Sequence, residues 1–116
     1  QWSGANNPLW YIHKNELMEV PADKQPIGKY YNSKPFTTHT LELQKGDALY
    51  LFTDGYADQF GGGKGKKFKY KQLQDLLIVN AQVAMKEQKA ILGNSLEQWK
   101  GNLEQVDDIL IIGIRI

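Results

Sequence analysis

Thr53-Asp54-Gly55 directly follows one apolar run, Ala48–Phe52, and Asp107-Asp108 directly precedes another, Ile109–Ile112. An acid at the end of such a run sits close to a core yet can still face a cleft. Adjacent carboxylates repel, and holding Asp107 and Asp108 beside Val106 and Ile109 is costly unless a cation or hydrogen-bond donors compensate. The chemistry this pattern suggests is hard-metal binding. Mg²⁺ and Mn²⁺ take oxygen ligands and keep several waters, so a few carboxylates suffice. Each motif also has a plainer reading. Asp54-Gly55 is a common turn dipeptide, and Asp107-Asp108 could be a solvated turn or a cap. The two acids converge only if their strands are neighbours.

The remaining inventory narrows the choice. The chain has no cysteine, which excludes disulfides, thiolate-bound zinc and a thiol nucleophile. Two histidines, His13 and His39, are too few for a multi-histidine site. Gly61-Gly62-Gly63-Lys64-Gly65-Lys66-Lys67 invites a phosphate-loop reading but fails it on spacing. Phe60 stands where the first glycine belongs, and Lys67 stands in the hydroxyl position. The window from Gln59 to Gln74 holds five lysines and no acid. Lys67, Lys69 and Lys71, alternating with Phe68 and Tyr70, would put charge on one face of an extended segment. That segment reads as a solvated loop or, through Lys64, Lys66 and Lys67, as an attractor for an anionic phosphoprotein. Nucleic acid is disfavoured, because the whole chain of 116 residues carries a net charge of only +1.

These residues need a scaffold, and the length allows one domain. Leu9–His13 and Glu16–Val20 read as strands joined by a Lys14-Asn15 hairpin turn. Pro21 to Pro35 is a loop by composition, Phe36–Leu43 an extended segment and Gln44–Asp47 a turn. Ala48–Thr53, apolar on both faces, reads as a strand of the sheet interior. The period then changes. Leu73, Leu76 and Leu77 predict a helix from about Lys71, and Met85, Leu92, Leu96, Trp99 and Leu103 form a second helical stripe. Gly93-Asn94 is a candidate interruption, and Gly101-Asn102 a helix stop. Ile109–Ile116 returns to a strand, expected to be buried, with Gly113 marking a close contact. Trp2, Trp10 and Trp99 read as packing residues, and His39 as a strand residue. This order gives an α+β fold, with helices on one face of a mostly antiparallel sheet. No apolar run approaches the ~20 residues needed to cross a bilayer, so direct membrane insertion is not expected.

Taken in order, the motifs resemble the metal-dependent type 2C (PPM) protein phosphatases, and the stage II sporulation protein E branch in particular. Gly46-Asp47-x-Leu-Tyr-Leu-Phe-Thr-Asp54-Gly55 and Asp107-Asp108-Ile-Leu-Ile-Ile look like the last two acidic motifs of that family. Ser3-Gly4-Ala5-Asn6-Asn7-Pro8-Leu9 is similar to its Ala-Gly-His-x-Pro turn, with Asn6 in place of the usual His. Pro26-Ile27-Gly28 matches its Pro-hydrophobic-Gly element. The resemblance implies an αββα sandwich around two Mn²⁺ or Mg²⁺ ions. It makes Asp54 and Asp107 metal ligands, with Gly55 and Asp108 as accessory residues of the site. No protein nucleophile is implied, since the attacking group is a metal-activated water.

The family's first acidic motif has no counterpart in residues 1–116. The chain, which begins Gln1-Trp2-Ser3 without an initiator Met, is therefore expected to be the C-terminal portion of one phosphatase domain whose N-terminal half is absent. Alone it is expected to be inactive. The implied parent is a cytoplasmic bacterial signalling protein, tethered or not through an upstream sensor. Its implied substrate is a phosphoserine or phosphothreonine regulatory protein of the anti-sigma-factor antagonist type. An incomplete sandwich is also expected to self-associate through an open strand edge or an uncovered sheet face. Two rival readings stand beside this one. One is a non-catalytic phosphatase-like binding or regulatory module. The other is a small α+β interaction domain whose acids are turn residues.

Overall fold

Lys14 and Asn15 both take positive φ, 49° and 64°. A two-residue turn with both central residues left-handed matches the twist of paired strands, and here it joins β1 (Leu9–His13) to β2 (Glu16–Val20). Both strands have the bounds the sequence predicts. The computed structural model describes residues 7–21 and 41–116. Gln1–Asn6, Trp2 among them, the Pro26-Ile27-Gly28 element, His39, and nearly all of the predicted loop and extended segment lie outside the described residues. Residues 41–43, the described end of that extended segment, belong to no strand.

The sheet is built from β1, β2, β3 (Ala48–Phe52) and β6 (Ile111–Arg115), in the order β2-β1-β3-β6, every pairing antiparallel. Trp10 stands opposite Tyr50, and Phe52 opposite Ile111. Between β3 and β6 run a short helix α1 (Gly55–Asp58), a small hairpin of β4 (Phe60–Gly61) and β5 (Lys66–Lys67), and two longer helices. These are α2 (Tyr70–Val79) and α3 (Met85–Lys100). Trp10, Ile12, Ala48, Tyr50 and Phe52 on one sheet face meet Leu73, Leu77 and Ala81 in one core, with Leu92, Leu96 and Trp99 packed against it. The α+β class and the single helical face agree with the sequence expectation.

Four details differ from it. α3 runs unbroken through Gly93-Asn94, because Gly93 faces open space and the packed stripe outweighs a glycine cost of about 1 kcal/mol. Leu103 lies beyond the Gly101 helix stop and is exposed. Lys67, Lys69 and Lys71 do not share an extended face, since Lys71 is already helical and pairs with Asp75 at 2.9 Å. The last strand starts at Ile111 rather than Ile109 and is not buried. Among the described residues it forms the sheet edge, paired only with β3, and its Ile112 and Ile114 are each 44% exposed. They share their face with Leu49, Leu51, Tyr11 and Met18, which are only half-buried, so the apolar face away from the helices is partly open. The apolar sequence of β6 reports a strand suited to cover on both sides; it does not supply that cover.

Candidate metal centre

Antiparallel pairing of β3 with β6 carries the exit of one strand to the entrance of the other, which is how two acidic motifs distant in sequence become neighbours. Past the last ladder pair, the Thr53 amide donates to the Leu110 carbonyl at 2.9 Å. The Thr53 hydroxyl accepts from the Leu110 amide at 3.0 Å and donates to the Asp108 carbonyl at 2.9 Å. One side chain thus ties both motif turns together and ends the ladder. Gly55 completes the junction. A Cβ there would lie 2.2 Å from the Asp108 carbonyl oxygen, so any side chain would force the two turns apart. Within the second turn, Asp107 Oδ1 accepts from the Asp108 amide at 2.7 Å.

Asp54 is exposed and opens α1, its carbonyl accepting from the Asp58 amide at 2.9 Å. Its Oδ1 accepts a hydrogen bond from the Tyr70 hydroxyl at the start of α2. The Tyr70 ring stands 5.9 Å from both Trp10 and Phe52, which are themselves 4.1 Å apart. Burial, reinforced by the bond to Asp54 and by the charges of Asp54 and Asp58, pushes the Tyr70 hydroxyl well above its ordinary pKa, so it stays a donor. A cleft of about 300 Å³ opens here, lined by Trp10, Glu19, Asp54, Tyr70 and Gln74.

The donors on offer are carboxylate oxygens at an exposed, loosely filled position, which suits a hard cation that keeps part of its water shell. Asp54, Asp107 and Asp108 fit Mn²⁺ or Mg²⁺ in kind. They fit as a partial set, because no three acidic, histidine or cysteine side chains gather closely enough among the described residues to hold an ion alone. Lys64, Lys66 and Lys67 are exposed on the β4–β5 hairpin, which docks on α3 through the Gly62 amide and the Trp99 carbonyl at 2.9 Å. Lys67 is engaged locally, 3.6 Å from Asp58 and 5.9 Å from the Phe60 ring centre.

Sequence reasoning missed Thr53 and Tyr70. A threonine before an aspartate carries a weak signal, since its partners are more than 50 residues away. Tyr70 looked like an aromatic spacer between lysines. It also missed that Asp47, the last residue of the Gln44–Asp47 turn, is buried with His13 at its Oδ1.

The family model described as Stage II sporulation protein E (SpoIIE) matches residues 1–116. Among solved structures, the SiaA-PP2C domain of Pseudomonas aeruginosa is similar at 28% identity and a TM-score of 0.85, over 94% of this chain and 43% of that one. The phosphatase domain of the cell fate determinant SpoIIE from Bacillus subtilis is similar at 18% identity and a TM-score of 0.60, over 93% of this chain and 45% of that one. A manganese-presoaked crystal of the same domain gives 16% identity and a TM-score of 0.57, over 95% and 46%. The chain therefore spans less than half the length of these solved domains. No curated protein matches it.

Proposed function

This chain belongs to the Stage II sporulation protein E (SpoIIE) family, and from that premise we propose that it is the C-terminal part of a metal-dependent protein serine/threonine phosphatase domain. The observation that carries the reading is the Thr53 clamp, which holds the Asp54 and Asp107-Asp108 turns against each other. Two Mn²⁺ or Mg²⁺ ions, when bound, supply an acidified water and neutralise phosphoryl charge. Asp54 and Asp107 would hold them, with Asp108 beside them and Gly55 leaving room for the contact. Thr53 fixes the spacing of the two turns, and Tyr70 orients one Asp54 oxygen. Lys64, Lys66 and Lys67 would draw in an anionic phosphoprotein of the anti-sigma-factor antagonist class, within a bacterial signalling protein that carries a sensor upstream. The relatives' length supports the view that the remaining ligands come from chain outside residues 1–116. The half-open sheet face and the β6 edge support self-association of residues 1–116 alone. No helix among the described residues is long and apolar enough to cross a membrane.

The alternative reading is a non-catalytic phosphatase-like module. Metal removal separates the two. In the full-length protein, release of phosphate from a phosphoserine protein should stop on chelation and return with Mn²⁺. No release at any Mn²⁺ concentration would leave the binding module.

A further inference from the structure

Tyr70 is held in place by more than its helix. Its ring meets Trp10 of β1 and Phe52 of β3, so both sheet strands fix where the hydroxyl points. Trp10 is itself anchored, donating from Nε1 to Glu19 Oε1 at 3.1 Å. The residue before it, Lys69, takes φ 75° and ψ 152°, a combination that is close to glycine-only. Two backbone bonds hold it there. The Phe68 amide donates to Gln59 at 2.9 Å and the Lys69 amide to Ala57 at 2.8 Å. Strain is thus accepted at the entry of α2, and α2 begins with the tyrosine whose hydroxyl reaches Asp54. A relaxed lysine would start the helix along a different path and carry the hydroxyl off the carboxylate.

Resting on the phosphatase reading above, we propose that Tyr70 is a positioning residue for metal binding: its hydroxyl holds Asp54 in the rotamer that presents the other carboxylate oxygen to a divalent cation. A free aspartate at an exposed strand end would sample several rotamers, and a bound cation would have to select one. A hydrogen bond to Oδ1 makes that selection beforehand and leaves Oδ2 without a partner among the described residues. Outer partners of this kind are worth ~10–100-fold in metal affinity when removed.

The test uses the full-length protein, Mn²⁺ as the probe, and electron paramagnetic resonance of free Mn²⁺ as the readout. Tyr70→Phe deletes the hydroxyl and keeps the ring against Trp10 and Phe52. Its affinity for Mn²⁺ should fall ~10-fold or more, while the melting temperature without metal stays at the wild-type value. A merely structural tyrosine would give the reverse pattern, a lower melting temperature with unchanged Mn²⁺ affinity in the folded protein, and that overturns the proposal. Asp54→Asn separates the two levels of the argument. If Asp54→Asn loses Mn²⁺ and Tyr70→Phe does not, the role of Tyr70 fails while the phosphatase reading stands. If Asp54→Asn binds Mn²⁺ as the wild type does, both fail.

Discussion

Strand β3 has an aspartate just outside each end, and the two are treated in opposite ways. Asp47, before Ala48, is 4% exposed and enclosed. Its Oδ2 accepts from the Gln44 amide at 2.9 Å, and its Oδ1 lies 2.7 Å from His13 Nδ1. The backbone around it is closed as well: the Gly46 amide donates to the Ile116 carbonyl and the Ile116 amide to the Asp47 carbonyl, each at 2.9 Å. Asp54, after Thr53, is exposed and has one oxygen held by Tyr70. A buried carboxylate with a partner at each oxygen has little capacity left for a ligand. One that is oriented but half-satisfied has capacity to spare. The two ends teach that an acid's role is read from its unused hydrogen-bonding capacity, since both look like strand-flanking turn residues in the sequence.

The largest effect expected from breaking this contrast comes from its glycines. Gly55→Ala would drive a methyl group into the Asp108 backbone, and should cost about 3 kcal/mol in denaturant unfolding along with the metal site. Gly46→Ala, at the closed end, meets nothing within 4 Å and pays only for its φ of 97°, about 1 kcal/mol. Equal losses would mean that the two ends are packed alike.

A smaller effect should appear with pH. The Gln44 amide foremost, and then the hydrogen bond to His13, hold the Asp47 carboxyl below its ordinary value of 3.8. A lowered folded-state pKa contributes stability that is complete above the ordinary value and lost as pH falls through the lowered one. Asp47→Asn should therefore melt below wild type at neutral pH, with a gap that narrows only under strongly acid conditions. A gap that is constant down to the acid transition would show that Asp47 acts through shape rather than charge.

The smallest effect is a gain. Lys69→Gly relieves the strained entry to α2 and should stabilise the fold by about 1 kcal/mol in the same unfolding assay. It should also loosen the hold on Asp54, so greater stability should accompany weaker Mn²⁺ binding. Stabilisation with unchanged binding would remove any link between that strain and the site.

Much of the scaffold was legible because local chemistry specifies it. The Lys14-Asn15 turn, the bounds of β1 and β2, the start of α2 and the Gly101 stop all follow from residues close in sequence. Gly113 was legible as a close contact, though its partner was not: a Cβ there would lie 3.0 Å from Met85 Sδ, 28 residues away. Asp54, Gly55, Asp107 and Asp108 were legible as motifs, though their meeting was not, because it depends on β3 pairing with β6. Thr53 and Tyr70 were invisible for the same reason: each acts on a residue that only tertiary structure brings near. The exposure of β6 was misjudged because an apolar pattern records what a strand can bury and says nothing of what lies over it.

The central claim is that the two ends of β3 divide structure from chemistry. Its most direct test is Mn²⁺-dependent phosphate release by the full-length protein, measured for Asp54→Asn, Asp107→Asn and Asp47→Asn at a temperature where all three are folded. The account predicts a loss of ~100-fold or more for the first two, through lost metal binding, and wild-type turnover per folded molecule for the third. Full activity in Asp54→Asn, or a comparable loss in Asp47→Asn, would contradict it.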